Sequence, residues 1–214
     1  MSRPPVSRLL YPGDPYEGFD HQAYPMDIQG WGEENPIFQH LMVTNRPRTI
    51  IEVGTWKGRS AITMALIMRN LGIEGEVVCV DTFLGSVEQW TDPDCYKSLN
   101  HRHGYPTLYY QFLANVCHTG MQNYITPFPI SSDAAAQYLT QKNIQADLVY
   151  VDAGHSYREA LNDIQQYWPL VRPGGVLLGD DFVAPEVLRA VADFANANAV
   201  TVQCYKEKYF FTKG

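Results

Sequence analysis

The sequence predicts a doubly wound α/β domain: a mostly parallel sheet of seven strands with helices on both faces and an antiparallel C-terminal hairpin. Three observations carry this. From Thr49 onward compact apolar runs alternate with amphipathic stretches, the pattern of βαβ units. Several of the runs end in Gly or Asp, at Gly54, Asp81, Asp152 and Asp180–Asp181, where an open parallel sheet holds its ligands. The last two runs are too close together for a crossover helix and must pair antiparallel. A chain of 214 residues fits one such domain.

Taken in order, residues 1 to about 30 are rich in Pro, Gly and Tyr without a sustained period, and read as an arm or lid. Asn35-Pro36 suggests an N-cap and a first helical proline, followed by Ile37, Phe38, Leu41 and Met42 at helical spacing. We therefore divide the chain into residues 1–48, arm and short helix, and residues 49–214, the α/β domain. The strands expected are Thr49–Gly54, Val77–Asp81, Ile125–Ile130, Asp147–Ala153, Gly175–Asp181, Val200–Tyr205 and Lys208–Thr212. The helices between them are Ser60–Asn70, Leu108–His118, Asp133–Gln141, Tyr157–Val171 and Glu186–Asn196. Residues 84–107 break the rhythm with polar and aromatic residues, and a loop of that length is usually functional or mobile.

Sixteen Lys and Arg against twenty-three Asp and Glu leave a net charge of −7, which repels nucleic-acid phosphates and anionic lipid. No run approaches the roughly 18 apolar residues of a membrane span, and Met1-Ser2-Arg3-Pro4-Pro5 lacks a secretory apolar stretch. A cytoplasmic protein with neither nucleic-acid nor membrane partners is expected, and self-association is left open. Cys79, Cys95, Cys117 and Cys204 occur singly and receive no chemistry.

The stretch Glu52-Val53-Gly54-Thr55-Trp56-Lys57-Gly58-Arg59-Ser60 is a strand entering a glycine-containing turn and then a helix, where a nucleotide-like ligand sits. A dinucleotide fingerprint wants glycine where this chain has Trp56. Asp81 ends the second strand, where a carboxylate can accept from both ribose hydroxyls. Ser131-Ser132-Asp133 opens the helix after the third strand, and Ser132 reads equally as an N-cap and as a ligand contact. Asp152 and the Asp180–Asp181 pair end adjacent strands at one edge, and three carboxylates there repel unless protons or a cation intervene. A hard divalent ion such as Mg²⁺ would relieve that repulsion.

On these residues the chain resembles class I S-adenosylmethionine-dependent methyltransferases, and over residues 49 to 182 their metal-dependent O-methyltransferases. These are the catechol and caffeoyl-CoA type and the macrocin, rhamnosyl and novobiocic acid group. The resemblance implies the Rossmann-like methyltransferase fold. It implies S-adenosylmethionine bound by Glu52, Gly54, Thr55, Gly58, Ser60, Asp81, Ser132, Asp133 and Asp152, and a metal ion held by Asp152, Asp180 and Asp181. In the catechol type a catalytic Lys follows the first metal Asp by three residues and an Asp-Asn pair completes the ligands. This chain has His155 and Asp180–Asp181 there. Sugar-type enzymes often keep an Asp-Asp pair, although some place an acidic base where this chain has Gly154.

The function implied is methyl transfer to a hydroxyl of a small phenolic, sugar or natural-product acceptor, with Asp152 and His155 as catalytic residues. His155 reads equally as general base and as a structural group capping the next helix or bracing Asp152. Tyr24, Met26 and Trp31 of the arm, with Trp90, His101, His103 and Tyr105 of the loop, are expected to close over the acceptor. The rivals are a nicotinamide-dependent oxidoreductase, a non-catalytic binding domain on the same scaffold, and a cephalosporin-hydroxylase-like enzyme.

Overall fold

A computed structural model describes residues 4–29 and 36–214 of the chain. Trp31 and the expected cap Asn35 lie outside the described residues. The strands are β1 (Thr49–Val53), β2 (Glu76–Asp81), β3 (Ile125–Pro129), β4 (Ala146–Val151), β5 (Val171–Gly179), β6 (Gln203–Tyr205) and β7 (Lys208–Thr212). They form one sheet in the order β3-β2-β1-β4-β5-β7-β6, parallel through β5 and antiparallel in the last two pairings. The seven-stranded doubly wound sheet with its C-terminal hairpin is therefore as expected. Strand order reverses between β1 and β4, the switch point where such sheets open a ligand crevice.

The helices are α1 (Pro5–Leu10), α2 (Pro36–Asn45), α3 (Arg59–Asn70), α4 (Val87–Thr91), α5 (Pro93–Ser98), α6 (Leu108–Thr119), α7 (Ser132–Gln141), α8 (Tyr157–Tyr167) and α9 (Pro185–Asn198). Side chains alternate across the strands, so Ile50, Val77, Leu148 and Leu178 face one layer with α2, α3 and α6. Ile51, Val78, Val149 and Leu177 face the other, with α7, α8 and α9. Both faces are covered, which is why the strands read as continuous apolar runs. Among the described residues no helix is long and apolar enough to cross a membrane.

Several elements depart from the sequence reading, among them β6, expected from Val200 and found at Gln203–Tyr205. The segment expected as an arm contains α1, whose Val6 and Ser7 amides donate to the buried Glu76 carboxylate at 2.8 and 3.4 Å. Tyr11 and Tyr16 then donate to the outward carbonyls of Pro127 and Ile125 at 2.8 and 3.0 Å, so residues 4–17 seal the β3 edge. The loop at 84–107 holds α4 and α5, capped by Ser86 and Asp92, and an antiparallel bridge between Arg102 and Tyr105. The long helix expected to reach Val171 ends at Tyr167 and tightens into a 3₁₀ turn at Trp168–Leu170, since Pro169 cannot donate to the helical ladder. β5 starts at Val171 instead of Gly175, its Pro173-Gly174 stretch taken up by a register shift opposite Ala146–Leu148.

Candidate active site

The strand ladders run past the last strand residues and level the functional groups. Gly54 donates to Val80 at 2.9 Å, Asp152 to Val53 at 2.8 Å and Asp180 to Val151 at 3.1 Å. Above them lies a cleft of about 920 Å³. Gly54, Thr55, Ser60, Asp81, Ser132, Asp133, Asp152, His155, Asp180 and Asp181 all line it. Glu52 and Gly58 do not, and act beneath the floor.

The turn after β1 explains its glycines. Gly54 has φ +82°, and a Cβ there would stand 2.1 Å from the Asp152 carbonyl oxygen, so only glycine lets the turn lie against β4. Gly58, at φ +89°, caps α3, and a Cβ would press on the Phe112 ring at 2.8 Å. Glu52 is fully buried and accepts from Thr55 Oγ1 at 2.8 Å and Ser60 Oγ at 2.5 Å, bracing the turn from below. Burial pushes its pKa up to about 8, against those two hydrogen bonds. Asp81 accepts the Thr55 and Trp56 amides at 2.9 Å each on one oxygen and the Phe83 amide at 2.7 Å on the other. It thus shapes the turn while facing the cleft.

On the far wall Ser131, not Ser132, caps α7. The Ser132 hydroxyl donates to Asp163, which burial lifts to about 6, and Asp133 accepts from Asn162 and Gln166 at 2.7 Å each. Ser156 caps α8 in a capping box with Glu159, so His155 is no helix cap.

The carboxylate edge is arranged differently from the expected trio. Asp181 sits at φ +57°, a left-handed conformation that Asp tolerates better than most residues, and its Oδ2 meets His155 Nε2 at 2.9 Å. That hydrogen bond is the chief cause lifting the half-exposed imidazole to about 9 and holding Asp181 below the usual carboxylate range. His155 therefore braces Asp181 rather than Asp152, and the direction of its pKa change, open in the sequence, is upward. The three groups whose donor atoms lie within 4.8 Å of one another are Asp152, His155 and Asp181. Asp180, expected among the ligands, is engaged elsewhere: Lys208 donates to its Oδ2, and Tyr150 Oη lies 2.8 Å from the same oxygen. Tyr150 also reaches Asp152 Oδ2 at 2.9 Å. Burial, and then the nearby Asp180 charge, raise the Asp152 pKa. Two carboxylates and an imidazole fit a divalent cation by donor chemistry.

Sequence reasoning missed Lys208, Tyr150 and Asp163. The hairpin pattern places Lys208 near a strand end but does not say which strand or face it meets, since that depends on the register of β7 against β5. Lys57, given no role, is buried and bonds Asp27 at 2.6 Å and Gln29 at 2.9 Å, fastening the N-terminal segment to the cleft wall. Of the expected acceptor wall, Tyr24 stacks with Phe19 and Tyr110, while His101 stacks on Tyr96 and Trp90 meets both of those rings edge-on.

A doubly wound sheet in this strand order, with a braced Gly turn, a strand-end acid and a carboxylate edge around one cleft, defines the class I methyltransferase architecture. The chain belongs to the methyltransferase-domain family, whose model matches residues 51–182. No curated protein sequence matches it. Among solved structures it is similar to an O-methyltransferase from Bacillus cereus in complex with SAH, at 18% identity and TM-score 0.60, covering 97% of this chain and 95% of that one. It is also similar to a Staphylococcus aureus protein described as a caffeoyl-CoA O-methyltransferase, at 13% identity and TM-score 0.60, covering 90% and 87%. The O-methyltransferase NovP aligns at 18% identity and TM-score 0.56, covering 82% and 76%.

Proposed function

We propose that this protein transfers the methyl group of S-adenosylmethionine to a hydroxyl oxygen of a small phenolic, sugar or natural-product acceptor, assisted by a divalent ion such as Mg²⁺. The observation that carries the reading is one cleft holding both halves of the chemistry: the Thr55–Ser60 turn with Asp81 on one side, and Asp152, His155 and Asp181 on the other. The O-methyltransferase structures above support it. Asp81 takes the ribose hydroxyls, Ser132 and Asp133 face the adenine, and Glu52 keeps Thr55 and Ser60 in place. Gly54 and Gly58 let the turn close on the cofactor.

Methyl transfer is an in-line displacement at carbon, so the acceptor oxygen must lie behind the sulfonium methyl and lose its proton. A bound divalent ion, held by Asp152, His155 and Asp181, would fix that oxygen and lower its pKa. His155, raised by Asp181, carries its proton near neutrality. It must give up that proton before it can hold the ion, so ion binding, and with it loss of the acceptor proton, would improve toward alkaline pH.

Incubation with labelled S-adenosylmethionine and pooled phenols, sugars and natural-product extracts tests the reading. Label entering an acceptor with Mg²⁺ and not with EDTA is the expected result. Cofactor binding without transfer to any pool would favour a non-catalytic binding domain. Full transfer after rigorous chelation would leave the carboxylates a structural role.

A further inference from the structure

At the carboxylate edge of the sheet one charged side chain has no exposure at all. Lys208 opens β7, one step beyond the Gly179–Tyr209 pair, and the antiparallel register sets it beside Asp180. Its ammonium donates to Asp180 Oδ2 and, at 2.9 Å, to Tyr150 Oη. The rings of Phe38 and Tyr150 stand 5.3 and 5.0 Å from the charge, which shields it from water while favouring a cation. A buried ammonium is tolerated only with a charge partner, and Asp180 is the carboxylate it touches.

The bonding of Tyr150 follows from this. Its hydroxyl has one proton and lies 2.9 Å from Asp152 Oδ2 and 2.8 Å from Asp180 Oδ2. Asp180 Oδ2 already receives Lys208, so the phenolic proton is best used on Asp152. The other Asp180 oxygen accepts the Asp181 amide at 2.9 Å. Both of its oxygens are thus committed inside the protein.

We propose that Lys208 is a positioning residue which keeps Asp180 as its fixed counter-ion, orients Asp152 through Tyr150, and leaves Asp152, His155 and Asp181 as the ion-binding set. This rests on the metal-assisted reading above and departs from the ligand set implied by resemblance. Asp180 becomes part of the support, and the ion sees one fixed positive charge behind its carboxylates.

Mn²⁺ binding followed by electron paramagnetic resonance tests it without turnover. The proteins compared are wild type, Asp180→Asn, Asp181→Asn and Lys208→Met, each checked for cooperative melting. All four proteins are measured at one fixed pH, which holds proton competition at the imidazole alike in wild type, Asp180→Asn and Lys208→Met. Asp181→Asn removes a ligand and should weaken binding by about a hundredfold or more, whereas Asp180→Asn, which removes only a supporting group, should cost about tenfold. Lys208→Met should tighten it by roughly tenfold, because a nearby positive charge is gone. A loss in Asp180→Asn equal to that in Asp181→Asn would overturn the proposal, and if Lys208→Met does not fold this contrast decides alone. Binding that appears only in Lys208→Met would support the Lys208 assignment while removing the metal-assisted reading. No binding in any of the four would overturn both.

Discussion

Replacing Glu52 by Gln is expected to flatten the pH dependence of stability between about pH 5 and 8. The carboxyl is fully buried beneath the β1 turn, and its pKa is pushed from 4.5 to about 8 chiefly by desolvation. Across that window the folded protein keeps the proton while the unfolded chain has lost it. The folded state therefore binds more protons, and stability falls as pH rises. A tenfold difference in proton affinity between the two states is worth about 1.4 kcal/mol, so the loss attributable to Glu52 is at most on the order of 4–5 kcal/mol by pH 8. The amide cannot ionise, and it can accept from one hydroxyl of the Thr55 and Ser60 pair while donating to the other. Urea denaturation of both proteins in EDTA, from about pH 5 to pH 9, reads the difference directly. Asp152, Asp163 and His155 are also raised, so both proteins should lose stability with pH. Their contributions cancel in the comparison. The two curves should nearly meet at the acid end and separate toward pH 8, the variant above. Parallel curves would refute the reasoning, because Glu52 would then ionise alike in both states.

Asp81→Ala should weaken S-adenosylhomocysteine binding by about 1–3 kcal/mol in calorimetry, and unchanged affinity would remove the ribose assignment. His155→Ala should lower turnover by roughly 10²–10⁴-fold with cofactor affinity retained. Wild-type turnover at limiting Mg²⁺ should climb with pH, because the imidazole raised by Asp181 must lose its proton before it can hold the ion, and a flat profile would return His155 to bracing alone. Gly54→Ala places a methyl against the Asp152 carbonyl and should cost about 3 kcal/mol or more in denaturant unfolding, so a wild-type midpoint would contradict the close approach.

The sheet was legible because its strands are buried on both faces and announce themselves as apolar runs, and because Gly54, Asp81, Asp152 and Asp180 punctuate their ends. Most of the cleft followed from those ends. The helices α4 and α5 were hidden, since five or six residues do not complete two turns and show no period. The Asp180 pairing was hidden for another reason: it depends on the register of β7 against β5, and a one-residue slip would turn Lys208 to the opposite face. The raised pKa of His155 depends on the left-handed turn at Asp181, a conformation that no local pattern specifies. Glu52 was placed at the right turn, but its partners were not legible, because the sequence says that the acid is near the ligand site and not that Thr55 and Ser60 donate to its oxygens.

The sealed margin of β3 bears on how copies of this protein can meet. Residues 125, 127 and 129 point their backbone away from β2. Two of them are prolines with no amide to offer, and the Ile125 amide is spent on Met121. The carbonyls of Ile125 and Pro127 are spent on tyrosine hydroxyls. A neighbouring strand arriving there finds almost nothing to zip onto. At the opposite margin β6 is only three residues long, too short a template for continuous growth. Neither margin of the sheet therefore offers a long run of free backbone groups for strand addition. The N-terminal segment, read from sequence as an arm or lid, thus occupies the hydrogen-bonding groups of an exposed strand edge.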